Sequence, residues 1–159
     1  MRIIITALII FSSFTINNAY AKLKITAPSE ICACMKNFGL MTRGWKNSYE
    51  NVFGCSSPYK EFDSNNLAFY VEGDSMAVRQ VKLVLNVNNR QSEKQAQEEL
   101  IKAAEALSVK ITGEKLSPLL RDAIKIGKKT TAKLGSASIE VIREDWPTGK
   151  GYEIIVLMK

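Results

Sequence analysis

The residues best suited to covalent chemistry are three cysteines in the first half of the chain. Cys32, Cys34 and Cys55 are its only cysteines, and the sequence contains no histidine. In an oxidising compartment, an odd number of cysteines indicates one disulfide and one remaining thiol. Cys32 and Cys34 lie too close together in sequence to pair comfortably with each other. We therefore expect Cys55 to be the partner in the bridge.

The choice between the two candidate bridges depends on the local helix. Residues 28–38 have the spacing of a short helix whose apolar face includes Cys34 but not Cys32. This pattern favours a Cys34–Cys55 bridge, with Cys32–Cys55 as the alternative. Either bridge closes a loop of about 20 residues and would contribute about 3 kcal/mol in the chain-entropy model.

The missing histidine also limits what other chemistry the chain can perform. Without it, Ser-His-Asp and Cys-His mechanisms are excluded, and the Cys-x-Cys pair cannot be completed to a histidine-containing zinc site. The segment Gly149-Lys150-Gly151 lacks the other residues of a phosphate-binding loop. We expect no metal and no cofactor, and the scattered carboxylates nominate no catalytic residue.

The first 21 residues have the pattern of a signal peptide. Arg2 precedes an apolar run of about 12 residues, too short for a spanning helix of about 20, and Ala19-Tyr20-Ala21 resembles a cleavage site. We expect cleavage after Ala21 and a single domain over residues 22–159. The pattern predicts a periplasmic or secreted protein with no transmembrane segment after cleavage.

The charge of the chain points to an anionic partner. The formal net charge is +6, and it becomes +5 without Arg2. Nucleic acid is a poor candidate for an exported protein, which leaves acidic proteins and envelope surfaces. The basic residues recur opposite an apolar stripe in a predicted helix: Arg121, Lys125, Lys128, Lys129 and Lys133. Trp146, in a predicted turn, either packs back on the sheet or anchors a contact.

The predicted elements define an α+β fold. Alternating strands over residues 67–72 and 78–87 form one hairpin, and strands over 138–143 and 152–158 form a second. Two helices lie between them, over 92–108 and from 117 to at most 135, the latter weakened at Gly127. We expect one two-layer domain, with a mainly antiparallel four-stranded sheet, helices on one face and a short helix at its start.

These features favour a non-enzymatic exported protein that binds or inhibits a partner, or serves as an accessory factor of the cell envelope. A second interpretation is a structural subunit or chaperone of an envelope or secretion assembly. A third is a small hydrolase that works without histidine, using carboxylates. The sequence does not define an oligomeric state.

Overall fold

An antiparallel sheet of eight strands forms the centre of the structure, a computed structural model that describes residues 22–159. The order across the sheet is β1-β2-β4-β5-β8-β7-β6, and β3 pairs with the start of β4. The strands are β1 (Lys46–Tyr49), β2 (Val52–Ser56), β3 (Lys60–Phe62), β4 (Asn65–Gly73), β5 (Val78–Val87), β6 (Thr130–Leu134), β7 (Ala137–Asp145) and β8 (Tyr152–Met158). The predicted α+β class is confirmed, and the expectation of four strands was too low.

Three α-helices accompany the sheet in the described part of the chain. They are α1 (Pro28–Ala33), α2 (Glu93–Thr112) and α3 (Pro118–Ile126), with short 3₁₀ turns at Lys36–Phe38 and Arg90–Ser92. The long helix α2 is rich in alanine, leucine, glutamate and lysine, which are strong helix formers. It ends at Gly113, whose positive φ of 84° suits a left-handed helix cap.

The two predicted hairpins lie at the middle of the sheet. They are β4–β5 and β7–β8, and the pairing of β5 with β8 joins them. Because β8 is paired on both edges, it is an interior strand, which suits its run of apolar residues. On the core face, Leu85 lies opposite Ile154 and Leu83 opposite Val156.

The helices cover one face of the sheet and leave the other open. Side chains that alternate along the strands, such as Leu83 and Leu85, pack against α2 residues such as Leu100 and Leu107, and all four are fully buried. This arrangement gives two layers around one hydrophobic core. The opposite face, which we call the open face, carries half-buried side chains.

The predicted helix after residue 117 is shorter than its upper limit. It ends at Ile126, because Gly127 adopts a left-handed conformation with φ 62° and the Lys128 amide donates to the Ala123 carbonyl. Residues 130–134 then form β6 rather than a continued helix, since their threonines favour a strand. The break occurs at the glycine where the sequence indicated weakness.

The segment before β4 also contains more strand than the sequence predicted. Strands β1, β2 and β3 lie before residue 67, where the first predicted strand begins. Their alternation is weak because β1 is exposed along its whole length and β3 has three residues. These short strands are held by pairing with β4 through β2 and β3, a long-range effect that periodicity does not report.

The disulfide joins Cys32 to Cys55, so the favoured Cys34–Cys55 pairing was wrong and the alternative is correct. The α-helix ends at Ala33, which places Cys34 at its C-cap rather than on a continuous apolar face. Cys32 is buried beside β2, with its Cα atom 6.2 Å from that of Cys55. Cys34 is a half-buried free thiol.

The predicted signal peptide lies outside the described residues. The cleavage after Ala21 and the domain boundary therefore stay predictions. From residue 22 onward, none of the helices has both the length and the apolar character needed to cross a membrane.

Candidate functional site

The turn between α3 and β6 carries the chain from the helix layer to the edge of the sheet. Ser117 caps α3 by accepting a hydrogen bond from the Leu120 amide, and Pro118 begins the helix. At the other end, Gly127 reverses the chain toward β6. The basic residues expected on one helix are therefore divided between a helix, a turn and a strand.

Within residues 22–159, the outer edge of β6 has backbone groups that no other strand pairs with. Strand β6 pairs with β7, with Lys133 opposite Ser138 and Thr131 opposite Glu140. The Ser138 amide and carbonyl both bond to Lys159, at 2.9 Å each, on the side away from β6. The Lys133–Ser138 pair is therefore a non-hydrogen-bonded pair of the β6–β7 ladder. Because hydrogen-bonded and non-hydrogen-bonded pairs alternate along an antiparallel ladder, the Thr131–Glu140 pair, two positions away, is also non-hydrogen-bonded. The N–H and C=O groups of Thr131 and Lys133 point out of the sheet, where no other described strand lies.

Three lysines lie in β6 or in the turn just before it. Lys128 and Lys129 lie in the turn before β6, and Lys133 lies in the strand; all three are exposed. Within residues 22–159, none of the three forms an ion pair. We call the outer edge of β6, with these three lysines, the basic edge.

Arg121 and Lys125 lie on α3, next to α2, and not at the basic edge. The Arg121 guanidinium lies 2.8 Å from a carboxylate oxygen of Glu105 on α2, which offsets its charge. Lys125 borders a cleft of about 490 Å³ between α2 and α3, whose walls also contain Glu98 and Asp122. Arg121 is therefore paired with a carboxylate, Lys125 lies at a cleft that also contains carboxylates, and the structure does not bring either residue into the basic edge.

Trp146 packs back on its own hairpin. Its amide donates to the Gly151 carbonyl at 3.1 Å, and a Cβ at Gly151 would lie 2.5 Å from the indole ring. The indole is half-buried. This geometry is that of the packed alternative rather than of a projecting contact anchor.

A polar cluster that the sequence analysis did not identify lies where α2 begins. The Tyr152 hydroxyl donates to Glu93 at 3.1 Å and accepts from the Gln97 amide at 3.1 Å. Burial, followed by the hydrogen bond to Glu93, raises the pKa of Tyr152. The Arg143 guanidinium stacks on the Tyr152 ring and pairs with Asp145. The cluster ties the first turn of α2 to β7 and β8.

One sequence signal for this cluster was available. Arg143 and Asp145 are two residues apart in a strand, so their side chains share a face and can pair. The hydrogen bonds that the Arg143 guanidinium donates to Asp145 lower the pKa of that carboxyl group. The position of Tyr152 beneath Arg143 depends on strand register, which the sequence did not specify.

The surroundings of the disulfide include an apolar cavity of about 600 Å³. Its lining includes Cys32, Met41 and Trp45, and the Trp45 indole N–H is buried with no hydrogen-bond partner among the described residues. The free thiol of Cys34 is not among the lining residues. Burial is the main cause that raises the pKa of Cys34 to about 11, so this thiol is protonated at neutral pH.

The described residues do not bring metal-binding side chains together. Between residues 22 and 159, no three histidine, cysteine, aspartate or glutamate side chains form a group that could hold a metal ion. Two of the carboxylates have partners: Glu105 pairs with Arg121, and Glu93 accepts from the Tyr152 hydroxyl.

The open face has an apolar row across its four central strands. Ala68 lies opposite Val84, Val84 opposite Ile155, and Ile155 opposite Ile142. Ala68 is buried by its neighbours, and the other three side chains are half-buried. Charged residues such as Lys82 and Glu72 border the row and form an ion pair of 2.9 Å.

The fold and these surfaces define the class: an α+β protein with a large antiparallel sheet, helices on one face and a basic edge. The chain belongs to a family whose description is "Family of unknown function (DUF6030)", and the family model matches residues 18–149. No curated protein and no solved structure matches the chain. The matched residues include helix α1, strands β1 to β5 and the basic edge.

Proposed function

We propose that this chain is an exported, non-enzymatic binding protein that docks an acidic segment of a partner protein at the basic edge. The observation that carries the proposal is the set of Lys128, Lys129 and Lys133, which lack ion-pair partners among residues 22–159 and line an uncovered sheet edge. Unpaired positive charge of this kind attracts acidic partners and accelerates their encounter.

The location of the protein is part of the proposal. The pattern of residues 1–21 supports export, and the Cys32–Cys55 bridge is compatible with an oxidising compartment. We infer a periplasmic or secreted protein. In that location an acidic protein is a more available partner than nucleic acid.

The absence of catalysis is also a proposal, supported by the character of the reactive groups. Histidine is missing from the whole sequence, and the remaining thiol, Cys34, is held protonated by burial. The cleft between α2 and α3 is lined by Glu98 and Asp122 together with the basic residues Lys102, Arg121 and Lys125, and its lining includes no cysteine, serine or threonine. A binding role uses the features that are present, namely the exposed lysines and the unpaired edge.

The test compares two variants of equal net charge. In the edge variant, Lys128, Lys129 and Lys133 become Glu; in the control, the exposed Lys36, Lys94 and Lys150 become Glu. Each protein is expressed with its full leader, recovered from the periplasm and used to capture proteins from periplasmic extract at two salt concentrations. We expect the mature protein to begin at Lys22, which intact mass will show.

The expected result is a stoichiometric acidic partner that the wild type and the control retain and the edge variant loses. Binding should weaken as salt rises, because ionic strength screens exposed charges. Equal retention by both variants would contradict the proposed role of the basic edge, and a protein that stays at full length in the cytoplasm would contradict export.

A second candidate function is that of a structural subunit or chaperone of an envelope or secretion assembly. The observation that favours it is the apolar row on the open face, because partly exposed apolar rows are typical of contact surfaces. Replacing Val84 and Ile155 by Thr keeps β-branched residues in the strands but removes apolar surface. Loss of a large complex in sedimentation with this variant, and not with the edge variant, would favour the assembly.

A further inference from the structure

We propose that the acidic segment binds as an additional strand beside β6, through its backbone as well as its charge. This inference rests on the proposed function, and it specifies how the partner is recognised. The backbone groups of Ser138 bond to Lys159 and not to β6, so those of Lys133, directly opposite Ser138, point away from β7. Alternation gives Thr131 the same outward direction.

The outer edge of β6 has the groups that an added strand needs. Thr131 and Lys133 each present one N–H and one C=O, separated by about 6.8 Å along the strand. An extended peptide can accept from both amides and donate to both carbonyls, as in known cases of strand addition. Since β6 contains five residues, the segment that it can pair with is about five residues long.

The side chains of β6 define the sequence of the segment. Thr131 and Lys133 are exposed and lie on the open face, whereas Ala132 is half-buried and Leu134 is buried on the core side. Directly opposite residues on neighbouring strands interact within about 5 Å, and opposite charges there are favourable. The segment should therefore alternate acidic residues, facing Lys133 and the turn lysines, with small apolar residues beside Ala132.

The same charges disfavour a second copy of this chain as the occupant. Two β6 edges placed side by side would bring the three exposed lysines of each copy to one seam, and like charges close together across strands are destabilising. Edge lysines are a known protection against pairing between identical edges. An acidic strand gains from the lysines that repel a second copy.

A lipid surface would use only part of this geometry. Anionic headgroups can accept from lysine side chains and from the outward amides of Thr131 and Lys133. Phosphodiester and carboxylate headgroups have no N–H row that would pair with the two outward carbonyls. An extended peptide pairs with both kinds of group, which is why we choose a protein segment over a membrane.

The test uses one defined probe, an acetylated and amidated peptide of seven residues that alternates Val and Glu. Hydrogen exchange of individual amides is measured by NMR on the mature protein with and without saturating peptide. We expect the amides of Thr131 and Lys133 to exchange at least about tenfold more slowly with peptide, because each gains a hydrogen bond. The amides of Thr130 and Ala132, already bonded to β7, should not change.

A pair of variants tests the backbone directly. Thr131→Pro removes one outward N–H and leaves the β6–β7 bonds intact, since proline is tolerated at edge positions that face outward. Thr131→Val keeps the N–H and the strand preference. Peptide affinity should fall about tenfold or more with proline, from the lost bond and its buried partner, and stay within about twofold with valine.

The outcomes separate this inference from the proposed function. If the triple Lys→Glu edge variant loses the peptide but Thr131→Pro binds it normally, charge docks the partner and strand addition is wrong. If the edge variant binds normally, both proposals fail. If Thr131→Pro unfolds, the exchange of the wild-type amides decides alone: protection supports strand addition, and its absence overturns it.

Two further measurements address the other occupants. Sedimentation of the wild type without peptide should show no association that the edge variant changes; an association through this edge would overturn the acidic segment as the occupant. Phosphatidylglycerol vesicles should not protect the amides of Thr131 and Lys133. Protection of these amides by vesicles but not by the peptide would assign the edge to a membrane instead.

Discussion

The guanidinium carbon of Arg143 lies 3.8 Å from the centroid of the Tyr152 ring, so a strand residue on β7 covers the aromatic ring that begins β8. Beneath the guanidinium, the Tyr152 side chain is 1% exposed and its hydroxyl joins Glu93 and Gln97 of α2. A cation over an aromatic face contributes about 0.5–2 kcal/mol, depending on its desolvation. This contact therefore connects the hairpin β7–β8 to the start of the long helix.

Removal of the Tyr152 hydroxyl should destabilise the protein. In Tyr152→Phe, the buried Gln97 amide loses the acceptor that it has at 3.1 Å, and Glu93 loses a donor. Leaving a buried polar group unpaired costs about 1–3 kcal/mol. We expect the free energy of unfolding, measured in urea, to fall by about 1–2 kcal/mol.

The control for this variant is Tyr49→Phe. Tyr49 is 70% exposed in β1, so loss of its hydroxyl should leave the free energy of unfolding within about 0.5 kcal/mol of the wild type. Equal stability of Tyr152→Phe and Tyr49→Phe would show that the hydrogen bonds at α2 contribute nothing net.

Gly127 is needed both for its backbone conformation and for its closeness to Arg143. Its φ is 62°, and a Cβ there would lie 2.8 Å from Cδ of Arg143. In Gly127→Ala we expect a cost of about 1–2 kcal/mol from the left-handed conformation alone. Displacement of Arg143 from Tyr152 should add roughly another 1 kcal/mol in urea unfolding.

Gly149→Ala separates these two costs. Gly149 has a similar φ of 68°, but a Cβ at that position would meet no atom within 4 Å. It should therefore show the backbone cost without the second contribution. If Gly127→Ala and Gly149→Ala destabilise equally, the contact between the α3–β6 turn and Arg143 is unimportant for stability.

These contacts illustrate which parts of the structure the sequence could predict. Strands β4, β5, β7 and β8 and helix α2 followed from local periodicity, since each has a long, regular apolar pattern. Strand β6 did not, because Thr130–Leu134 is short and follows a run of lysines that continues a helical spacing. It becomes a strand through pairing with β7, an interaction between distant residues that local patterns do not contain.

For the basic edge, the sequence predicted which lysines take part but not how they are arranged. The sequence indicated that Lys128, Lys129 and Lys133 form part of a basic surface, but it placed them with Arg121 and Lys125 on one helix. The outward direction of the β6 backbone follows from the β6–β7 register and from the bonds of Ser138 to Lys159, just after β8. The sequence predicted a disulfide to Cys55 but favoured the wrong partner, because the choice between Cys32 and Cys34 depended on where α1 ends.

The bridge should be a major source of stability. Cys32 and Cys55 are separated by 23 residues, and in the chain-entropy model a loop of this size is worth about 3 kcal/mol. We expect Cys32→Ala to lower the free energy of unfolding by about that amount, and Cys34→Ala to lower it much less. Dithiothreitol should destabilise the wild type and Cys34→Ala, and should not further destabilise Cys32→Ala.

Peptide mass mapping of the non-reduced protein checks the pairing itself. The expected product joins the peptides that contain Cys32 and Cys55, after Cys34 has been alkylated in denaturant. A Cys34–Cys55 product as the main species would contradict this pairing. So would a loss of stability in Cys34→Ala as large as the loss expected for Cys32→Ala.

The free thiol should make stability depend on pH in alkaline solution. Burial, opposed in part by the charge of Lys110, raises the pKa of Cys34 from an ordinary 9.0 to about 11. Well below pH 9 the thiol is protonated in both the folded and the unfolded chain, so it has almost no effect on the pH dependence of stability. Between pH 9 and about 11 the unfolded chain releases this proton first, so the free energy of unfolding falls as pH rises.

The difference between the wild type and Cys34→Ala isolates this effect, because tyrosines and lysines titrate equally in both proteins. Urea unfolding at intervals from pH 8 to pH 10.5 should show the wild type losing stability faster than Cys34→Ala above pH 9. The folded wild-type thiol should also react with iodoacetamide about a hundredfold more slowly at pH 8 than the thiol of the unfolded chain. With a pKa of about 11 instead of 9.0, the folded protein has about a hundredth of the thiolate. Parallel stability curves and equal alkylation rates would mean that Cys34 is not buried.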